Sequence, residues 1–553
     1  MIELLEPFVL QETALDVGEF KLVPALTVAA MLALFLGVGY FFRVAAVDDL
    51  WVAGRSIGAV ENGMAIGANW MSAASYLGVA SIIALSGYFG LAYVVGWTTG
   101  YFILLIFLAA QFRRFGKYTA PDFVGDRFYS DWARGIAAFT TLAIAFTYAI
   151  GQASGMGLMA QYIFGISYEM GVIVLMGVTI GYVALSGMLG TTKNMAIQYV
   201  ILIIAFTIGL YAVGWSQGWS TVLPYFEFGS EVAAAAEIEA QFVEPFADGS
   251  YYAWIALAFS LIVGTCGLPH VLVRFYTVEN ERTARWSTVW GLFFICLLYW
   301  GTATYAAWGG LLYDSEVTGG GGFADMLPIE ADALVVLTAQ LAELPTWLVG
   351  LVAAGAVAAA LATTAGLFIS ASSAAAHDIY TNLYKENATQ REQMLVGRVT
   401  ILGIGILVTL IGLNPPALIG ELVAMSFAIA GTVFFPVFFL GLWWENTTKE
   451  GALAGMLTGI LLSFGAILND TAIPMYTGVE DAVIPALATW LPGTSSALVG
   501  VPVVFGVIIV VSIVTDNPPQ HVKRLVRQCH SPEPMSQTES AEDAANGGAP
   551  ADD

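Results

Sequence analysis

The stretch Glu61–Gly90, ENGMAIGANWMSAASYLGVASIIALSGYFG, decides how the chain folds. It is apolar and long enough to cross a bilayer. Yet its middle holds Gly63, Gly67, Ala68, Asn69, Ser72, Ala73, Ala74 and Ser75. A run of small and polar residues lets a helix unwind at membrane depth, where the freed carbonyls must find a partner. In secondary transporters that partner is a coupling cation or a substrate. The alternative is that small residues only let helices pack closely. The remaining sequence has to separate the two.

Bulk composition narrows the class. Of 553 residues, 58% are hydrophobic and only 11% charged, with a mean hydropathy of +0.76. A soluble domain carries about a quarter charged residues. Repeated apolar runs of about twenty residues therefore indicate an all-α polytopic membrane protein. Three cysteines offer neither a disulfide framework nor a thiolate metal site. Four histidines, two of them in the polar C-terminal tail, argue against a haem-bearing subunit. A net charge of −23 and a pI near 4.4 point to a halophilic source, since salt screens repulsion between crowded carboxylates. Folding lost at high rather than low salt would contradict that expectation.

Apolar spans fall at about 22–42, 61–91, 93–112, 135–164, 168–189, 194–215, 251–273, 286–312, 347–376, 394–413, 417–443, 449–468 and 496–515. With thirteen crossings, Arg43, Arg55, Arg113, Arg114, Lys117, Arg127, Arg134, Lys193, Arg274, Arg282, Arg285, Lys385, Arg391, Arg398, Lys449, Lys523, Arg524 and Arg527 all lie on one side. Loops 218–250, 313–346 and 469–495 lack Lys and Arg and carry many acids. The positive-inside rule then places the N-terminus outside and the C-terminus in the cytoplasm of a cell-membrane protein. The acidic first twenty residues read as no signal peptide. The expected organisation is an extracellular segment 1–21, a transmembrane domain 22–515, and a disordered acidic tail 516–553.

A second interrupted span reads Gly264-Thr-Cys-Gly-Leu-Pro-His270, two glycines and a proline within seven residues. The two broken spans, five helices apart, occupy matching positions in two five-span halves, about 61–215 and 251–443. Paired breaks of this kind mark a transport site at a repeat interface. In the span Val352–Gly366, Ala359, Ala362 and Thr363 share one helical face. Alanines admit a neighbouring backbone there, and a hydroxyl plus unwound carbonyls are ligands a hard cation accepts. The competing reading is that Thr363 and Thr364 bond back to their own helix.

Several ordered motifs carry a family resemblance. They include Trp51-Val-Ala-Gly-Arg55, Asn62-Gly-Met-Ala-Ile66, Met71-Ser-Ala-Ala-Ser75, Phe115-Gly-Lys-Tyr-Thr119 with Asp122, and Gly187-Met-Leu-Gly-Thr-Thr192. Gly264–His270 with Arg274-Phe275, and His377-Asp-Ile-Tyr380, complete the set. On these the chain resembles the sodium:solute symporter family, in particular its cation/acetate (monocarboxylate) branch. The resemblance implies an inverted five-helix-repeat core of the leucine-transporter type. It further implies a Na+ site from the carbonyls of Ala68, Met71 and Ala359 and the Thr363 hydroxyl. One departure stands out: the family often has hydroxyls at both positions matching Ala362 and Thr363, and here the first is alanine. Thr364 or water then compensates, or coupling is weaker or partly proton-driven.

No Lys or Arg lies at mid-depth in the spans around the breaks, so a carboxylate there meets helix N-termini rather than a full counter-charge. Asn69, Ser72, Ser75, Gln152, Thr265 and Gly267 are the candidate substrate-binding residues, with Trp70, Tyr76, Tyr148 and Phe427 closing off an apolar end. Core packing is the competing role for each aromatic. His270 and Arg274 read as structural or gate residues, with Arg274 pairing a carboxylate when the inner side is shut. The expected function is import of an acetate-like monocarboxylate with Na+ through the lipid bilayer. The alternatives are a proton-coupled symporter of another small solute or an uncoupled channel or receptor on the same fold. No nucleophile–base constellation, phosphate loop or metal cluster supports an enzyme, and nothing points to nucleic acid.

Overall fold

The computed structural model describes residues 20–43, 51–116, 118–218, 246, 251–313, 332–385, 387–477 and 482–530. The regular structure among them is helical, with one isolated parallel bridge between Ile57 and Val278. Helix α1 (Leu22–Phe41) is apolar all round. It buries Val28, Met31, Phe35 and Gly39 along one stripe and leaves Leu22, Leu26, Leu34 and Leu36 exposed. A helix needs no polar face where its outer surface meets lipid.

The first broken crossing is α2 (Ala59–Trp70), a π-helical turn at Ala74–Gly78, and α3 (Val79–Ser86). Then come α4 (Leu91–Phe107), the short α5 (Ala109–Phe115) and α6 (Ala120–Arg127), and α7 (Asp131–Phe164). The second half opens with its own break, α9 (Tyr251–Gly267) and α10 (Pro269–Leu272), after α8 (Tyr168–Ser216). It continues through α11 (Glu281–Tyr313), the short α12 (Leu334–Leu341), and α13 (Thr346–Ser373), extended by a π-helix over Ala374–Tyr384. Helices α14 (Gln390–Gly412) and α15 (Ile419–Trp443) close that half. Helices α16 (Lys449–Ile467) and α17 (Ala497–Val514) pack on each other beside α15.

Ten described helices are long and apolar enough to span, or eleven counting the pair Tyr251–Gly267 and Pro269–Phe275, bent by 49°, as one. The lower count is roughly consistent with thirteen, because two of these runs each join two crossings across a sharp bend. Helix α8 is two helices meeting at Gly187, with φ 56° and ψ −165°. Such backbone is open in practice only to glycine. The two segments fold back on each other there: Gly209 packs on Val352 and the Tyr182 hydroxyl donates to the Leu361 carbonyl of the same helix α13, so each segment is a crossing of its own. Likewise Gly87, with φ 55° and ψ −130°, ends α3 and turns the chain sharply toward α4: a Cβ at Gly90 would lie 2.8 Å from the Ile83 Cα.

Helix α13 is the buried axis. Its alanines, glycines and short hydroxyl residues let α8, α7, α1 and α2 pack against it. Helices α9 and α15 approach even more closely. A Cβ at Gly264 would lie 2.5 Å from the Phe427 carbonyl oxygen, and one at Gly267 would lie 2.1 Å from that of Ala430. Helix α6 is fastened at the basic end: Thr119 caps its first turn, and Arg127 donates to the carbonyls of Gly441, Trp444 and Thr447 just past α15. Lys21, a basic residue outside that cluster of loops, donates to Gln340 in the last turn of α12 and lies 3.8 Å from the Tyr162 ring centre.

Within the tail expected from residue 516, Gln520–His530 forms a helix, α18. Val522, Val526 and Cys529, at i, i+4 and i+7, bury its apolar stripe against α5 and α15. The rest of the tail, most of the N-terminal segment and most of loops 218–250 and 313–346 lie outside the described residues.

Candidate substrate and cation site at the helix breaks

The two breaks face each other. Past Trp70 the backbone leaves the helix: Met71 has ψ 71°, and the Ser72 N–H turns back to the Trp70 carbonyl at 2.7 Å. Leu268 is extended, with ψ 116°, and Pro269 opens α10 without an N–H to satisfy. Between them Asn69 Nδ2 donates to the His270 carbonyl at 3.2 Å, and Asn62 Nδ2 donates to the Arg274 carbonyl at 3.1 Å. Both asparagines thus tie α2 to the chain around α10.

From the other side α13 reaches the first break. Thr363 Oγ1 donates to the Asn69 carbonyl at 2.9 Å, so the hydroxyl points at the unwound turn rather than back along its own helix. Ala359 and Ala362 lie on the same buried face. A Cβ at Gly366, one turn further, would lie 1.9 Å from Asn69 Oδ1. The carbonyls of Ala68 and Met71 flank the same turn. Thr364 does not substitute for the hydroxyl absent at Ala362, because its Oγ1 donates to the Ala360 carbonyl at 2.8 Å. A hard cation entering here meets one threonine oxygen plus backbone carbonyls.

Gln152, on α7, closes the third side. Its Oε1 accepts the Ala73 N–H at 2.8 Å, the first amide after the break, while its Nε2 is buried with no protein acceptor. Ser72 Oγ accepts the Ser75 N–H, and Ser75 Oγ contacts the Trp70 carbonyl at 3.1 Å and the Tyr299 hydroxyl at 2.7 Å. Both serines are buried at the break. Thr265 is placed differently from its expected role: its hydroxyl donates to Leu261 of its own helix at 2.7 Å. Its side chain also packs on Gly100, where a Cβ would lie 2.4 Å away. Gly267 meets the Ala430 carbonyl of α15, so its missing side chain serves helix contact.

An aromatic enclosure adjoins these groups. The Trp70 ring lies 4.6 Å from Tyr101 and 5.3 Å from Phe427. Trp97 lies 5.5 Å from Phe427 and 6.0 Å from Tyr299. Tyr148 bridges Phe427 and His270 at 5.9 and 5.3 Å. Tyr76 faces elsewhere, donating to the Val352 carbonyl and packing on Phe206. Sequence reasoning missed Trp97, Tyr101 and Tyr299, and read His270 as a structural or gate residue. Tyr93, Trp97 and Tyr101 recur every four residues on α4, a one-face pattern that could have flagged them. Trp97 Nε1 and both His270 ring nitrogens are buried without a protein partner. Each such group costs about 1–3 kcal/mol unless something pairs with it.

Among the described residues Arg274 makes no ion pair with a carboxylate in this conformation. Its contacts are the Thr192 hydroxyl and the thioethers of Met188 and Met195. Among the described residues Asp122, His377 and Asp378 form the one compact His/Asp group at the basic end. There Arg134 already binds Asp122 at 2.5 Å and Asp126 at 2.6 Å, and lies 3.6 Å from Asp378. The group is therefore a salt-bridged clasp joining α6, α7 and the end of α13.

Comparison with known proteins places this geometry. The model of the sodium:solute symporter family matches residues 50–459. The chain belongs to that family. An uncharacterized symporter of Bacillus subtilis is 32% identical, the alignment covering 84% of this chain and 92% of that protein. Another, from Cupriavidus necator, is 27% identical over 90% of this chain and 92% of that protein. Among solved structures, a substrate-bound, outward-open Na+-coupled sialic acid symporter superposes with a TM-score of 0.71. It is 16% identical and the match covers 91% of this chain and all of that one, a likeness of fold. The expected all-α architecture with inverted five-helix repeats holds, and the protein is a multi-pass membrane transporter rather than an enzyme. Its family moves small solutes with sodium.

Proposed function

We propose that this symporter imports a short-chain monocarboxylate, acetate-like in size, driven by Na+. The observation that carries the reading is the meeting of two environments at one break. On one side Thr363 and the carbonyl-bearing turn at Asn69 supply oxygens for a cation. On the other the aromatic cluster of Trp70, Trp97, Tyr101, Tyr148 and Phe427 presents apolar ring surface suited to a methyl end. Gln152 Nε2, Trp97 Nε1 and the His270 ring supply neutral N–H donors for the carboxylate. Asn69, Ser72 and Ser75 line the same turn, whereas Thr265 and Gly267 support α9 rather than the cargo.

With the basic end in the cytoplasm, sodium entering from outside stabilises the arrangement that binds the anion, and rocking of the repeats releases both inside. Only differential affinity between the two states drives the change. Tracer uptake of acetate into proteoliposomes, with and without an inward sodium gradient, tests this. Accumulation only with the gradient is expected; uptake indifferent to sodium defeats the coupling. A competition panel of propionate, pyruvate, glycolate and acetamide against labelled acetate fixes the cargo.

A further inference from the structure

The motif Gly187–Thr192 takes no part in the site at the breaks, and Arg274 lies against it. Arg274 is fully buried, 0% exposed. One terminal nitrogen donates to Thr192 Oγ1 at 2.9 Å and lies 3.6 Å from Met188 Sδ; the other lies 2.9 Å from Met195 Sδ; Nε has no partner. Thioethers are weak acceptors, and a guanidinium offers five N–H donors. Among the described residues no carboxylate forms an ion pair with it; the nearby Lys193 holds Glu61 at 2.6 Å. A buried cation without a counter-charge is among the least favourable arrangements a protein tolerates.

Its surroundings compound the demand for negative charge. Gly187 breaks α8, and the helix restarts at Met188 and runs on to Ser216. The guanidinium therefore lies along the first two turns of this helix, touching Met188, Thr192 and Met195, near the end where backbone N–H groups and the dipole already favour an anion. Thr192 lies one turn on from Met188, its hydroxyl donating to the Met188 carbonyl at 2.7 Å while accepting from Arg274. Two positive features converge on one buried spot, on helices from opposite halves of the molecule. One turn earlier along the chain stands His270, with both ring nitrogens unpaired.

We infer that Arg274, Thr192 and the helix turn after Gly187 form a second anion station, which takes the carboxylate of the cargo as it leaves the central site toward the basic end. This assignment rests on the monocarboxylate reading for its ligand. Neutral donors in the enclosure hold the anion loosely enough to release it, and the guanidinium draws it onward by one helical turn. Sodium stays behind on the opposite side of α2, at Thr363.

Equilibrium binding of radiolabelled acetate to the purified full-length protein, in chloride-free buffer at saturating sodium, counts the stations. Two acetates per chain are expected in the wild type and one in Arg274→Gln. Thr192→Val, which removes one hydroxyl, is expected to keep two but weaken one by several-fold. A sodium-dependent rise in Tm serves as the folding control for each variant. One acetate in both wild type and Arg274→Gln overturns the station and leaves the cargo reading intact. One in the wild type and none in a folded Arg274→Gln keeps the station and removes acetate from the central site instead. Should Arg274→Gln fail the control, equal affinity at both stations in Thr192→Val overturns the assignment.

Discussion

The Thr363 hydroxyl is satisfied by a carbonyl of another helix, Asn69, at 2.9 Å, whereas its neighbour Thr364 bonds within α13. On the proposed reading, that asymmetry leaves Thr363 as the lone side-chain ligand for the ion on the α13 face, since position 362 is alanine. Thr363→Ala is expected to raise the sodium concentration for half-maximal uptake about tenfold, equivalent to ~1.4 kcal/mol, while Thr363→Ser restores it. An unchanged sodium response in Thr363→Ala would remove the ion from this position. Gln152 permits a cleaner test of the anion. Gln152→Glu keeps an oxygen for the Ala73 N–H but replaces the free amide with a carboxylate. Acetate uptake is expected to fall by at least about tenfold with Tm nearly unchanged, because like charges repel in a poorly solvated site. Reading these residues from sequence worked where chemistry announces itself locally. A serine beside a helix break is conspicuous; the burial of Arg274 against methionines leaves no trace in the chain.

At the scale of helices, both breaks were readable because Gly, Pro and small polar residues interrupt an apolar run. So was the boundary near Lys193, which pairs with Glu61 just after the sharp bend at Gly187. Close packing of α9 on α15 was hidden, since a glycine that admits a carbonyl looks the same as one that lines a cavity. Gly267→Ala forces its Cβ into the Ala430 carbonyl. The expected cost is about 1–3 kcal/mol, read as a lower Tm of the purified protein. Asp332, just before α12, carries a second expectation. Its carboxylate accepts from Ser81 Oγ at 2.9 Å on α3 and from the Ile419 N–H at 3.2 Å at the start of α15. Burial pushes its pKa up to about 6, a rise the two hydrogen bonds oppose and nearby Glu421 reinforces. The proton thus binds the folded state more tightly than the unfolded one. Its contribution is full below pH 4, the ordinary aspartate range, and is lost as pH rises through about 6. Thermal scans are expected to show Tm falling between about pH 4 and about pH 6 more steeply in the wild type than in Asp332→Asn. Parallel curves would show that the carboxyl is not titrating there.

Across the whole molecule, the proposed cation face on α13 and the proposed cargo donors on α7 and around α10 share one structural element, the unwound turn from Asn69 to Ala73. Asn69 touches both through separate atoms: its carbonyl accepts from Thr363 and its amide donates to the His270 carbonyl. Any shift of that turn caused by one ligand therefore alters the geometry offered to the other, and the coupling is local rather than relayed through a long path. Thermodynamics then fixes a relation that no single affinity reveals. If saturating sodium tightens acetate binding by some factor, saturating acetate must tighten sodium binding by the same factor. A coupling of about 1–3 kcal/mol, five- to 150-fold, is the usual range for two sites sharing one bistable element. Measuring acetate affinity with and without sodium, and sodium affinity with and without acetate, on one purified preparation is expected to give matching ratios above five. In Thr363→Ala both ratios are expected to collapse toward one together. Sodium-independent acetate affinity in the wild type would mean that the turn does not link the two ligands.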